Sequence, residues 1–146
     1  MDVKIIIDES VVNPEVVIKA REVTPDVQQV IDMLRGNLNR QLPGYNDREV
    51  FILDATKIFS IHTEGNKVTA VTEDGSFYLK NRLYEIDENP PNKTFIRISN
   101  SEIVNFSKVK SLDLSITGTI TLKFKNGDKT YVSRRYVDKI KTHLGL

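Results

Sequence analysis

The amino-acid sequence predicts a mainly β fold of the α+β class, with short helices at its periphery. From Glu49 onward, short apolar segments alternate with sequences typical of tight turns, such as Asp74-Gly75 and Asn126-Gly127. Aspartate-glycine and asparagine-glycine pairs between alternating segments are strong hairpin signals. Clear helical periodicity is confined to residues 24–35 and 133–144.

Length and composition are those of a globular protein with one ordinary domain. The chain has 146 residues, of which 39% are hydrophobic and 28% charged. It contains no cysteine, which excludes disulfides, cysteine nucleophiles and thiolate metal sites. No apolar run approaches the length of a membrane span and no signal peptide opens the chain. We therefore expect a cytoplasmic location.

The formal net charge of +1 conceals an uneven distribution. Residues 1–92 carry 10 Lys/Arg against 16 Asp/Glu, whereas residues 93–146 carry 11 against 4. A basic C-terminal third favours a polyanionic partner for that part of the chain. The alternative is a solvated, lysine-rich surface.

The first 45 residues predict a small accessory unit, a β-hairpin followed by a helix. Residues 3–7 and 15–20 have the composition of paired strands. Thr24 suits the N-cap of the helix and Pro25 its first position, with Gly36 at its end. One apolar stripe of this helix is our candidate for dimerisation: Val27, Val30, Ile31 and Leu34.

Turn-forming residues between Asn37 and Asp47 predict a linker, so we place a second domain at residues 46–146. This domain contains seven predicted strands and two further helices. The strands are Val50–Leu53, Ile58–His62, Val68–Thr72, Phe77–Leu79, Val109–Leu114, Thr119–Phe124 and Lys129–Val132, and the helices span residues 81–88 and 133–144.

An additional strand begins at Phe95 and is interrupted by three polar residues, Ser99-Asn100-Ser101. Such residues favour turns, because their side chains bond to nearby backbone. The turn would present an amide and two hydroxyls at an edge of the domain. A short helical or extended segment follows and ends at Asn105, to which we assign the structural role of holding the turn through backbone hydrogen bonds.

The residues from Arg48 to Leu146 resemble the LytTR family of DNA-binding domains. The family signature has an aromatic residue, an arginine, a serine and a Val/Ile-Asn pair, matched here by Phe95, Arg97, Ser101, Val104 and Asn105. A hydrophobic strand, a glycine hairpin and a Ser-x-Arg turn before the last helix follow in the family's order. The resemblance implies an elongated β-sheet or β-sandwich domain that binds DNA.

The resemblance also implies a stand-alone regulator, since too few residues precede Arg48 for a receiver domain. Such regulators bind paired direct repeats in promoters, commonly as homodimers. They are often encoded beside a small membrane protein that restrains them. No cofactor and no metal ion is expected.

In this family, loop residues enter successive major grooves of DNA. By position, the base-contacting candidates are Asn66, Asn100 and Arg135. Arginine recognises guanine and asparagine recognises adenine through paired hydrogen bonds. Asn66 has an alternative role, as the residue that supplies a positive φ to a hairpin turn, and Asn100 as an Asx-turn or N-cap residue. The phosphate candidates are Lys67, Arg97, Ser99, Ser101, Lys108 and Arg134, with Lys110, Lys129 and Lys139 as weaker ones. Arg97 has an alternative role in packing across a strand, and the alternative for Arg134 and Arg135 is a solvated pair near a helix start.

Catalysis finds little support in the sequence, so we expect that the protein is not an enzyme. His62 and His143 are far apart, and no metal-ligand spacing, phosphate loop or nucleophile elbow is present. The competing hypothesis is a β-rich module that binds a protein or RNA through its basic face, without catalysis. A further alternative is an enzyme subunit with no site of its own.

Overall fold

The computed structural model describes residues 1–37 and 41–146, with residues 35–37 described by their backbone only. The chain divides into two compact units, Met1–Leu34 and Arg35–Leu146. In neither described range does a helix reach the length and apolarity needed to cross a bilayer.

The helix of the N-terminal segment, α1, spans Pro25–Asn37, two residues beyond the predicted end. Thr24 caps it as predicted, because its Oγ1 accepts a hydrogen bond from the backbone N–H of Val27 at 3.3 Å. Three residues of the predicted stripe, Val27, Val30 and Ile31, are half-buried, and Leu34 is exposed.

The predicted N-terminal hairpin is wrong, since residues 3–7 and 15–20 form no strand. The break between them is nevertheless a turn, in which the Asp8 carboxylate accepts hydrogen bonds from the Ser10 backbone and hydroxyl. The apolar side chains remain in solvent, with Ile5, Ile6 and Ile7 between 83% and 87% exposed. An isolated two-stranded hairpin is marginally stable in water because neither face is covered.

From residue 41 to 146, the structure describes ten strands and two helices, which confirms the predicted mainly β class. The strands are β1 (Leu42–Asn46), β2 (Glu49–Leu53), β3 (Ile58–Glu64), β4 (Lys67–Thr72), β5 (Gly75–Leu79), β6 (Phe95–Ser99), β7 (Glu102–Asn105), β8 (Val109–Asp113), β9 (Ile120–Phe124) and β10 (Lys129–Val132); the helices are α2 (Leu83–Glu88) and α3 (Arg134–Leu144). Seven strands form one sheet in the order β2-β1-β5-β4-β3-β7-β6, and three form another in the order β10-β9-β8. Every described strand pair is antiparallel.

Strand β1 lies where turn residues predicted a linker, so that prediction is wrong for residues 42–46. Gly44 pairs with Phe51 of β2, and its missing side chain is required by packing. A Cβ at this position would lie 2.8 Å from Leu53 Cδ1 and 2.9 Å from Phe77 Cβ. Glycine here permits close approach within a sheet. Residues 38–40 of the predicted linker lie outside the described residues.

The described side chains of the strands and helices form two hydrophobic cores, named here after the helix that each contains. The α2 core contains Leu42, Leu53, Ala55, Ile58, Ile61, Val68, Ala70, Phe77, Leu79, Leu83, Ile86, Phe95 and Ile103. The α3 core contains Phe59, Ile96, Ile98, Val104, Ile120, Leu122, Phe124, Val132, Val137 and Ile140. Strands β6 and β7 contribute to both cores, so they are covered on both faces. The turn that joins them therefore has a firmly packed base.

The fully buried Asn105 anchors the opposite end of β7. Its Nδ2 donates to the carbonyl oxygens of Ile58 at 2.8 Å and Ala55 at 3.3 Å. Its Oδ1 accepts from the Thr94 hydroxyl at 2.6 Å and from the backbone and hydroxyl of Ser107 at 3.1 and 2.7 Å. The predicted structural role is thus confirmed, although Asn105 stabilises residues 55–58 and 105–107, not the Ser99–Ser101 turn.

Candidate nucleic-acid interface

The three segments predicted to contact DNA meet at one end of β6 and β7. The β3–β4 turn is joined to the β6–β7 turn by a 2.9 Å hydrogen bond from the Thr63 backbone N–H to the Ser101 carbonyl. The start of α3 is joined to β6 by a 3.0 Å hydrogen bond from the Ser133 N–H to the Ile98 carbonyl. Backbone hydrogen bonds to one hairpin thus fix the positions of both other segments.

The β6–β7 turn carries Asn100 at its tip, exposed to solvent. Ser99 and Ser101 flank it with hydroxyl oxygens 3.3 Å apart, and the Ser101 backbone N–H donates to Ser99 Oγ at 3.2 Å. Asn100 Oδ1 accepts a 3.3 Å hydrogen bond from the hydroxyl of Tyr136. Its Nδ2 donates to no other group among the residues that the structure describes, which leaves the amide N–H groups free for a ligand.

The half-buried Arg97 supports this turn from within. Its Nε donates to the Ser99 carbonyl at 3.0 Å and its Nη2 to the Asn100 carbonyl at 2.7 Å. Its Nη1 lies 3.5 Å from the carboxylate of Asp87 in α2. A guanidinium presents several donors in a fixed plane, which suits a bond to two consecutive carbonyls. Arg97 was predicted as a phosphate contact, but its donors are directed at the protein.

At the β3–β4 turn, the positive φ of +63° belongs to Gly65. Asn66 was considered as the source of this conformation, and that alternative is wrong. The Asn66 side chain is exposed and makes no hydrogen bond within the described ranges. Nothing in the turn requires its amide, so Asn66 is free to bind a ligand.

The start of α3 carries two exposed arginines, Arg134 and Arg135. Neither guanidinium group forms a hydrogen bond or ion pair with any described residue. No acidic residue lies in the first helical turn, and the Ser133 side chain makes no capping bond. The N-terminus of a helix is its positive end, so two cations there are unfavourable without an anion. This arrangement favours an anionic partner.

The remaining phosphate candidates differ in their surroundings. Lys67 is exposed and lies over the ring of Tyr78, with Nζ 4.5 Å from the centroid. Lys108 forms an ion pair with Glu73 and lies beyond Asn105, at the opposite end of β7 from the turn. Its positive charge is therefore neutralised by Glu73 and lies far from the β6–β7 turn. The other weaker candidates are the exposed Lys110 and Lys129, and Lys139, whose Nζ is 5.7 Å from the Tyr136 ring.

Sequence reasoning missed the contacts of Tyr136 and Asp87. Tyr136 is not among the predicted site residues, yet its hydroxyl reaches the tip of the β6–β7 turn. Its position directly after Arg135 was the available signal. Asp87 pairs with Arg97 across ten residues of sequence, and no local pattern indicated this pair.

Histidines and carboxylates form no site for a metal within residues 1–37 and 41–146, where no group of three such side chains is suitably placed. His62 lies in β3 opposite Glu102 of β7, and His143 lies near the end of α3. The chemistry of the interface is therefore that of amides, hydroxyls and cations.

Comparisons with known proteins find relatives both by sequence and by structure. Two proteins of Staphylococcus aureus, from strains NCTC 8325 / PS 47 and COL, are each 36% identical over 130 residues, which is 88% of this chain and 88% of the relative. Both carry the name "Uncharacterized HTH-type transcriptional regulator". In the described part of this chain, strands separate the helices from one another. The described fold thus contains no helix-turn-helix.

A solved structure shares the fold. The LytTr DNA-binding domain of a putative methyl-accepting/DNA response regulator from Bacillus cereus superposes with a TM-score of 0.69 and 22% identity, over 73% of this chain and 99% of that domain. The model of the LytTr DNA-binding domain family matches residues 48–145. On this match and on the similarity to the staphylococcal regulators, the chain belongs to the LytTR family of DNA-binding domains.

Proposed function

We propose that the protein is a transcriptional regulator that recognises direct repeats in promoter DNA, with Asn66, Asn100 and Arg135 in contact with bases in the major groove. It acts by binding alone, without catalysis. The observation that carries the proposal is that backbone hydrogen bonds join the β3–β4 turn and the start of α3 to the β6–β7 hairpin.

Base recognition requires side chains that are held in place but not already satisfied. Asn66 and Arg135 have no partner among the described residues, and Asn100 keeps its N–H groups free. The hairpin below Asn100 is buried in two cores. Asparagine bonds to N6 and N7 of adenine, and arginine to O6 and N7 of guanine. These properties support a role for all three residues in sequence discrimination.

Phosphate contacts position a protein on DNA without specifying sequence. We assign this role to Lys67, Ser99, Ser101 and Arg134, which are exposed or lie beside the exposed tip of the turn. Arg97 and Lys108 are left out, because each is paired with a carboxylate of the protein.

Recognition of a direct repeat calls for two copies of the domain. We propose that the stripe of Val27, Val30, Ile31 and Leu34 on α1 mediates self-association, because Val27, Val30 and Ile31 are only half-buried and Leu34 is exposed, so the apolar face is not fully covered within one chain. A restraining membrane protein stays a prediction, which the family resemblance alone supports.

The proposal is tested by titrating the purified protein against its own upstream DNA and a scrambled duplex of equal length, at several salt concentrations. Neutralisation of phosphates predicts that the logarithm of the binding constant falls linearly with the logarithm of salt, by about 0.9 per phosphate contact. Preference for the upstream DNA at every salt concentration is the expected result. Equal binding to both duplexes would favour the alternative of a basic module for another partner.

A further inference from the structure

A groove runs beside the β3–β4 turn, and its opposite wall is the connection between β5 and α2. Asn66 lies on one wall and residues 80–82 on the other, with the base of the groove reaching Arg97. The sequence assigned no function to residues 80–82, which belong to the acidic part of the chain.

Two cations of this connection, Lys80 and Arg82, form no ion pair with any residue that the structure describes. The side chain of Arg82 is exposed and forms no hydrogen bond or ion pair with any described residue. Lys80 is exposed, and its Nζ lies 4.7 Å from the centroid of the Tyr45 ring. A cation–π contact orients an ammonium group without cancelling its charge. Arg97, in contrast, is paired with Asp87.

The acidic residues near the groove do not neutralise the positive charge of Lys80 and Arg82. Glu64 lies opposite Lys67 at the end of the β3–β4 hairpin. Glu85 of α2 lines a different groove, together with Leu42 and Ile86. The groove beside Asn66 thus combines a free amide on one wall with the positive charge of Lys80 and Arg82 on the other.

We propose that Lys80 and Arg82 bind the phosphate backbone of DNA beside the bases that Asn66 contacts. The inference rests on the proposed function and extends it, since it assigns the β5–α2 connection to the DNA interface. A base in the major groove is flanked by phosphates, because duplex DNA carries one negative charge per roughly 1.7 Å of its axis. Cations across a groove from a base-contacting side chain are suitably placed for those phosphates.

The test compares the double variant Lys80→Gln/Arg82→Gln with the charge-matched control Arg48→Gln/Lys93→Gln. Arg48 lies between β1 and β2, and Lys93 precedes β6 at the end opposite its turn. Both variants lose two positive charges. Arg82 makes no side-chain capping bond to α2, so its replacement leaves the helix start intact.

Two lost phosphate contacts lower the salt slope of the binding constant by about 1.8 in the test variant. The expected result is this loss on upstream and scrambled DNA alike, with an unchanged preference between them and a smaller change in the control. Arg82→Lys, which keeps the charge, retains most of the affinity. Equal thermal unfolding midpoints establish that all variants are folded.

A salt slope no smaller than that of the control would overturn the inference while leaving the proposed function intact. Absence of any salt-dependent binding by the unaltered protein would overturn both. Loss of preference for upstream DNA at an unchanged salt slope would also overturn the inference. Such a result would show that Lys80 and Arg82 contact bases, not phosphates.

Discussion

The hydroxyl of Tyr136 donates a 3.3 Å hydrogen bond to Oδ1 of Asn100, from the first turn of α3 to the tip of the β6–β7 turn. This bond links the amide proposed to contact a base with the helix that carries Arg135. Oδ1 has a second lone pair, so it can accept from a base at the same time. The amide is thus held in one orientation before DNA binds.

Tyr136→Phe removes this hydroxyl and keeps the ring. We expect preference for upstream over scrambled DNA to fall by about 0.5–1.5 kcal/mol, the usual contribution of one hydrogen bond. The salt slope should not change, because no phosphate contact is lost. Binding titrations on both duplexes measure the two quantities, and an unchanged preference would show that the bond does not orient Asn100.

The variant Arg97→Lys distinguishes two roles of Arg97, support of the β6–β7 turn and contact with a DNA phosphate. Lysine keeps the charge but cannot bond to the Ser99 and Asn100 carbonyls with a planar fork. If Arg97 supports the turn, Arg97→Lys and Arg97→Ala should both lose about 1–3 kcal/mol of binding to upstream DNA. Hydrogen exchange at the Thr63 amide, which bonds to Ser101, should also accelerate. Full binding by Arg97→Lys would restore the phosphate role predicted from sequence.

Asn105→Ala should destabilise the second unit by about 2–4 kcal/mol, because it leaves buried carbonyl and hydroxyl groups without partners. Denaturant unfolding of the variant measures this loss. Asn66→Ala is the matched control, since Asn66 is exposed and should change the free energy of unfolding by no more than about 0.5 kcal/mol. Similar values for the two variants would contradict the anchoring role of Asn105.

Gly44→Ala introduces a Cβ within 3 Å of Leu53 and Phe77. We expect a loss of about 1–3 kcal/mol in the free energy of unfolding, the usual cost of overpacking. Ser76→Ala, at an exposed position of β5, is the control. An unchanged unfolding midpoint for Gly44→Ala would mean that β1 can move away from its neighbours.

Local sequence patterns predicted most of the β fold because the turns and the alternation are local properties. β9 and β10 follow alternation around Asn126-Gly127, and the structure has both. Gly44 was misassigned because its requirement comes from Leu53 and Phe77, which are distant in sequence. The N-terminal hairpin was predicted from composition, but composition does not supply a surface to cover it.

In the interface, too, local features could be predicted from the sequence, whereas contacts between distant segments could not. Exposed turn residues such as Asn100 could be selected from the sequence, because polar turns and family spacing are visible there. The bonds from Arg97 and Tyr136 that hold this turn could not, since they depend on how β6, α2 and α3 pack. The groove between Asn66 and residues 80–82 likewise joins segments that the fold alone brings together.

The central claim is that the three turn segments discriminate sequence, and it is tested most directly by Asn100→Ala and Arg135→Ala. Matched controls are Asn46→Ala, at the end of β1, and Arg48→Ala, in the β1–β2 turn, both at the opposite edge of the seven-stranded sheet. We predict that each test variant loses about 1–3 kcal/mol of preference for upstream over scrambled DNA, whereas the controls retain it. Preference that survives in both test variants would contradict the account.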